Sequence, residues 1–171
     1  MAYAIYRSDN VAATKDGSQI KSARYYVDGA VAAIENGNIV AINSGLVDGE
    51  REILKATAPT ATTPVNELGI VTTVELMYEE GKRDLGEFIN EATSTQVLRV
   101  FKFHNGDVFS VTAEALNGTP EKGTTSVVVG ADTKMVVKAT SAVNENEVLI
   151  GNIIDTETIG TTTYWTIEVV C

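Results

Sequence analysis

The sequence predicts a mainly β protein, an antiparallel sandwich or small barrel built from hairpins, with one short helix. Val, Ile and Thr are abundant while helix-favouring Leu is scarce, and this mix favours sheet. Short apolar runs alternate with turn dipeptides at spacings typical of sandwiches and barrels. The 171 residues suffice for one domain or two small ones. With 44% hydrophobic and 21% charged residues, the composition is that of a folded protein.

The strongest local pattern is residues 97–116, in which two apolar runs flank Asn105-Gly106. This dipeptide favours a two-residue β-hairpin turn. The predicted cross-strand pairs are Phe103 with Val108, Phe101 with Ser110, and Val100 with Val111. Both faces of such a hairpin are partly apolar, so we expect it to lie inside a sandwich or barrel, or to lend a face to a partner subunit. A bulge after Gly106 would shift the register by one residue.

Residues 31–42 repeat the pattern around Asn36-Gly37 and predict a second hairpin, which pairs Ile34 with Ile39 and Ala33 with Val40. An Ala-rich helix over residues 28–35 competes with this interpretation. The turn dipeptide and the β-branched return strand favour the hairpin.

The remaining elements follow from shorter runs. Strands are predicted at residues 22–27, 50–58, 69–78, 125–129, 134–139, 147–154 and 162–170. A helix is predicted at 83–92, because Leu85, Phe88 and Ile89 share one helical face.

Domain boundaries are predicted from the polar and Pro-containing segments. Residues 1–28 are expected to form an N-terminal arm or edge strands, with a polar loop at 8–18. The loop between Pro59 and Pro64 divides a small β subdomain, residues 29–63, from a main β-rich domain, residues 64–171. The alternative is one continuous domain.

Charge and cysteine content exclude several functions. The formal charge of −10 disfavours nucleic-acid binding, since the basic pairs Lys82-Arg83 and Arg99 with Lys102 are small. No apolar run is long enough for a membrane span, and no signal peptide is visible. The single cysteine, Cys171, excludes intrachain disulfides and is expected to be an incidental thiol. The expected compartment is a reducing cytosol, or a particle assembled in one.

Catalytic, cofactor and metal sites are predicted to be absent. The only histidine, His104, is expected to make a turn or cross-strand contact with Asp107. Tyr25, Tyr26 and Trp165 are expected to serve packing. Gly118–Gly123 contains Lys122, but no helix follows that would form a phosphate site. The acidic residues at 75, 79, 80, 84 and 87 suit a solvated helix better than a glycosidase pair. The sequence leaves open the alternative of calcium sites built from separate loops.

Three segments, residues 32–59, 68–92 and 97–118, resemble small proteins encoded beside the major capsid protein of tailed phages. These are the accessory head proteins of the decoration, or cement, type. The resemblance implies a non-enzymatic virion protein on the outer capsid surface, assembled in the host cytoplasm and without cofactors. Its partners would be the major capsid protein and further copies of itself, such as a trimer, but neither nucleic acid nor membrane.

Three alternatives stay open. One is a tail-tube or head-fibre component. Another is a carbohydrate-binding or adhesion β-module that uses the aromatic residues and an acidic calcium site. The last is a glycosidase with a carboxylate pair.

Overall fold

A computed structural model describes residues 4–7, 19–42, 45–73 and 97–170. The protein is mainly β, as predicted, and its sheets form a curled half-barrel and a second sheet. Thirteen strands lie within the described ranges, together with short 3₁₀ helices at Val65–Glu67, Ala113–Ala115 and Thr140–Ala142.

The first sheet has seven strands. In spatial order they are β1 (Tyr6–Arg7), β8 (Val108–Thr112), β13 (Thr162–Val169), β12 (Leu149–Ile159), β10 (Thr125–Val128), β11 (Met135–Ala139) and β9 (Leu116–Asn117). All neighbours in this sheet are antiparallel except β9 and β11, which are parallel.

The second sheet has six strands. In order they are β3 (Ala30–Val31), β2 (Ile20–Val27), β7 (Leu98–Lys102), β6 (Leu68–Val71) and β4 (Ile39–Ala41), and β5 (Ile53–Ala56) pairs with β2 in parallel. The loop between Pro59 and Pro64 joins β5 and β6, two strands of this same sheet. The division of the chain into residues 1–28, 29–63 and 64–171 stays a prediction.

Most predicted strands are confirmed with shifted ends. Strands occur in the predicted segments 22–27, 50–58, 125–129, 134–139, 147–154 and 162–170. β12 continues five residues beyond its predicted end. Only the start of segment 69–78 is described, as β6. The predicted helix at 83–92 and the polar loop at 8–18 lie outside the described residues.

The predicted hairpin at residues 97–116 is wrong, because β7 and β8 belong to different sheets. β7 pairs with β2 and β6, whereas β8 pairs with β1 and β13. The turn itself forms: the Asp107 N–H donates to the His104 carbonyl at 3.1 Å, and Gly106 has a φ of +87°. The Gly106 N–H donates to the Val169 carbonyl at 2.9 Å. The turn is therefore a corner between sheets, anchored on the end of β13.

Packing explains this change of sheet. Phe103 stacks on Phe109 with ring centroids 5.4 Å apart, and both rings are buried in the core between the sheets. Two apolar strands gain more by facing each other across a core than by sharing one sheet, where they would expose an apolar face.

The second predicted hairpin, residues 31–42, is also wrong. β3 pairs with β2, and β4 pairs with β6, so Ile39 lies opposite Ile70 and not opposite Ile34. The Asn36-Gly37 turn forms, with a φ of +84° at Gly37. The buried Asn36 side chain both donates to the Thr73 carbonyl and accepts from the Thr73 N–H, each at 2.8 Å. These bonds fix the turn against the end of β6 instead of closing a hairpin.

The core has two parts. The larger cluster fills the space between the sheets and includes Phe101, Phe109 and Ile167. The smaller cluster lies on the other side of the six-stranded sheet and includes Val71 and Val100. Because Val100 and Phe101 are neighbours on β7, their side chains point to opposite faces. The predicted burial of both faces of this strand therefore occurs within a single chain.

Candidate interaction surface

The most exposed regular structure among the described residues is the outer half of β12 and β13. These strands pair from Gly151 opposite Val169 to Ile159 opposite Thr162. β10 pairs with β12 only as far as Asn152, and β8 pairs with β13 only from Tyr164. Residues 154–163 therefore form a two-stranded extension, which we call the distal ribbon. All of its residues are exposed except the half-buried Thr162.

The local sequence accounts for the ribbon. Its strands are rich in Thr and Ile, which favour extended backbone. A two-residue turn, Gly160-Thr161, joins them, and Gly160 has a φ of +63°. Glycine at the first central position is typical of type II′ hairpin turns. A bulge between Ile153 and Asp155 shifts the register where the ribbon leaves the sheet, and Ile154 there is 39% exposed. Bulges bend a strand and change its direction.

Two ion pairs join the ribbon strand β12 to distant parts of the chain. The Arg7 guanidinium bonds to the Glu157 carboxylate and lies 5.5 Å from the centre of the Tyr164 ring. The Lys122 ammonium bonds to the Asp155 carboxylate, two residues before Glu157 on the same strand, β12. The bond from Lys122, followed by the Thr156 N–H bond, lowers the pKa of Asp155 below its usual value. An isolated two-stranded hairpin is marginal in water, so these contacts stabilise a ribbon that the sheet does not support.

The end of the ribbon is uncharged. Ile159 precedes the turn and is 48% exposed. The hydroxyl oxygens of Thr158 and Thr163 lie 3.3 Å apart across the strands. A surface of hydroxyl groups around one apolar side chain can contact another protein.

His104 and Asp107 make the predicted turn contact. The His104 N–H donates to Asp107 Oδ2 at 2.7 Å, and His104 Nδ1 lies 3.9 Å from the same oxygen. Burial raises the pKa of Asp107, and the bond and charge of His104 oppose the rise. The carboxylates at 75, 79, 80, 84 and 87, and the pair Lys82-Arg83, lie outside the described residues.

The other residues considered in the sequence analysis are packed in the core clusters, paired in a sheet or ion-paired. Tyr25 is buried in the smaller core cluster, and burial followed by the charge of Asp132 raises its pKa. Trp165 packs against the larger cluster, and Tyr26 pairs with Val31 in the six-stranded sheet. Lys122, from the Gly118–Gly123 loop, pairs with Asp155 as described.

Within the described ranges, no group of three or more His, Cys, Asp or Glu side chains is arranged to hold a metal ion. Residues 49–53 line a shallow, open depression. No helix in the described part of the chain has the length and apolar character needed to cross a bilayer.

The ribbon was not predicted from the sequence, although the sequence contains a signal for it. Ile159 and Thr162 are separated by two residues of which the first is glycine, which is a hairpin signature. Comparison of the chain with protein-family models, with curated proteins and with solved structures gave no match.

Proposed function

We propose that this chain is a non-enzymatic structural protein of a phage virion, which binds the outer surface of the capsid and stabilises it. It would assemble in the host cytoplasm as a homo-oligomer, such as a trimer, on the major capsid protein. The observation that carries the proposal is the distal ribbon. The ribbon is exposed, is held by ion pairs and adds no side chain to the chain's own core. It would present Ile159 to a second protein.

Charge and sequence resemblance support the same function. A net charge of −10 suits a surface that faces solvent, and it opposes contact with packaged DNA. Residues 32–59, 68–92 and 97–118 resemble decoration proteins of tailed phages. A tail-tube or head-fibre role would use the same ribbon on a different assembly.

A glycan-binding role has less support. Sugar recognition uses exposed aromatic faces, but Tyr25 is buried and Trp165 packs against the core.

The test is a binding experiment with purified chain and expanded empty capsids. We expect saturable, stoichiometric binding and a raised melting temperature of the shell. Purified tail tubes and a glycan array test the alternatives. Absence of binding to capsids, with binding to tubes or glycans, would refute the proposal.

A matched pair of variants tests the ribbon. Ile159→Lys places a charge where we expect an apolar contact and should weaken capsid binding about tenfold or more, because burying an aliphatic side chain contributes about 1.5–3 kcal/mol. Val27→Lys is the control, since Val27 is 46% exposed and lies on the other sheet. Equal effects of the two changes would eliminate the ribbon as the contact but leave the capsid role standing.

A further inference from the structure

The chain contains three Asn-Gly dipeptides, at Asn36, Asn105 and Asn117. In this dipeptide the glycine backbone nitrogen can attack the asparagine side-chain carbonyl carbon. A new C–N bond closes a succinimide ring, and the side-chain nitrogen leaves as ammonia with the proton of the glycine amide. Water then opens the ring at either carbonyl and leaves aspartate or isoaspartate. The reaction needs a side chain that is free to rotate and a glycine nitrogen that it can reach.

The fold hinders this reaction at Asn36. Its side chain is 1% exposed, and both ends of its amide are bonded to the backbone of Thr73 at 2.8 Å. The Gly37 N–H, the nitrogen that would attack, donates to the Val71 carbonyl at 2.9 Å. All three bonds must break before the ring can close, so the reaction requires local opening of the structure.

Asn105 and Asn117 lack this protection. Both side chains are exposed, and within the described residues neither forms a side-chain hydrogen bond. Asn105 retains one restraint, the bond from the Gly106 N–H to the Val169 carbonyl at 2.9 Å. Asn117 lies in β9, a two-residue strand at the edge of its sheet.

We propose that Asn105 and Asn117 are sites of spontaneous deamidation, and that the fold protects Asn36. This inference does not depend on the proposed function. The change at Asn105 has the larger structural consequence, because its turn joins the two sheets. A new carboxylate there stands two residues from Asp107, and isoaspartate adds a backbone carbon to the turn.

Incubation of the native chain at mildly alkaline pH and 37 °C tests the proposal, with a parallel sample in urea. Tandem mass spectrometry of digests gives the extent of deamidation at each site. In the native chain, Asn105 and Asn117 should both react at least about tenfold faster than Asn36, whose reaction requires opening. In urea the three rates should lie close together. A native Asn36 rate equal to the other two, or native rates at Asn105 and Asn117 as low as that at Asn36, would overturn the proposal.

Discussion

The two Asn-Gly turns at Asn36 and Asn105 allow a matched test of what holds the corners of this fold. Asn36→Ala removes the two side-chain bonds to the half-buried Thr73, so the Thr73 N–H and carbonyl lose these partners. A hydrogen bond contributes about 0.5–1.5 kcal/mol net, and an unpaired buried polar group costs about 1–3 kcal/mol. We therefore expect Asn36→Ala to lower the free energy of unfolding by about 2–4 kcal/mol. Asn105→Ala changes an exposed side chain. The free energy of unfolding of this variant should therefore lie within about 0.5 kcal/mol of that of the natural chain.

Urea unfolding followed by the fluorescence of Trp165 measures both variants, because the chain has one tryptophan and it packs against the core. In a domain of this size, a change of 1 kcal/mol in the free energy of unfolding shifts the melting temperature by about 2–4 °C. The melting temperature of Asn36→Ala should therefore fall by on the order of 10 °C. The slope of the unfolding free energy against urea should stay constant. If the two variants were equally stable, the Asn36 bonds would not be what fixes this turn.

Four further predictions concern packing and charge. Gly151→Ala should prevent folding or destabilise severely, since an added Cβ would lie 2.1 Å from the Glu168 carbonyl; a soluble variant with an unchanged melting temperature would contradict this. Phe109→Ala should cost about 3–5 kcal/mol in urea unfolding, because the ring is fully buried, and a cost under about 1 kcal/mol would contradict its place in the core. Two pKa shifts should give opposite pH dependences in unfolding titrations. The bond from the Asn144 N–H, and after it the bond from Lys138, lower the pKa of Glu147 below 4.5. The stability that the Glu147 carboxylate contributes is therefore present at neutral pH and lost on acidification. Glu147→Gln should not show this loss. Burial raises the pKa of Asp107 above 3.8, so the natural chain should gain stability relative to Asp107→Asn as the pH falls through the acidic range towards 3.8. Parallel pH curves of variant and natural chain would refute either assignment.

Local structure could be predicted from the sequence better than strand partners. Asn36-Gly37 and Asn105-Gly106 both form turns with positive φ at the glycine, as their dipeptides indicate. Neither turn closes a hairpin, because the partner of a strand depends on which apolar faces can be buried together. That choice is non-local. Phe103 meets Phe109 across the core, and no pattern within residues 97–116 distinguishes that packing from a hairpin.

The candidate surface was less predictable than the fold. The four C-terminal strands were predicted from short runs at spacings typical of a sandwich or barrel, and all four form. The extension of β12 past Ile154 was missed because Asp155, Thr156 and Glu157 are polar on both faces, which is the pattern of a loop. Their strand conformation depends on pairing with β13 and on the ion pairs with Arg7 and Lys122. Neither cation is close to the ribbon in sequence.

The exposed edges of the fold indicate how the ribbon would bind. A free strand edge is a template for strand addition, and natural sheets limit it with short or charged edge strands. β1 and β9, at the two ends of the seven-stranded sheet, are two residues long. On the ribbon, the Thr156 N–H is already bonded to the Asp155 carboxylate at 2.9 Å, and that carboxylate is held by Lys122. Strand addition is therefore disfavoured at Thr156 as well. Recognition through the ribbon would then depend on the side chains at its end, above all Ile159, and on a partner surface with an apolar depression to receive it.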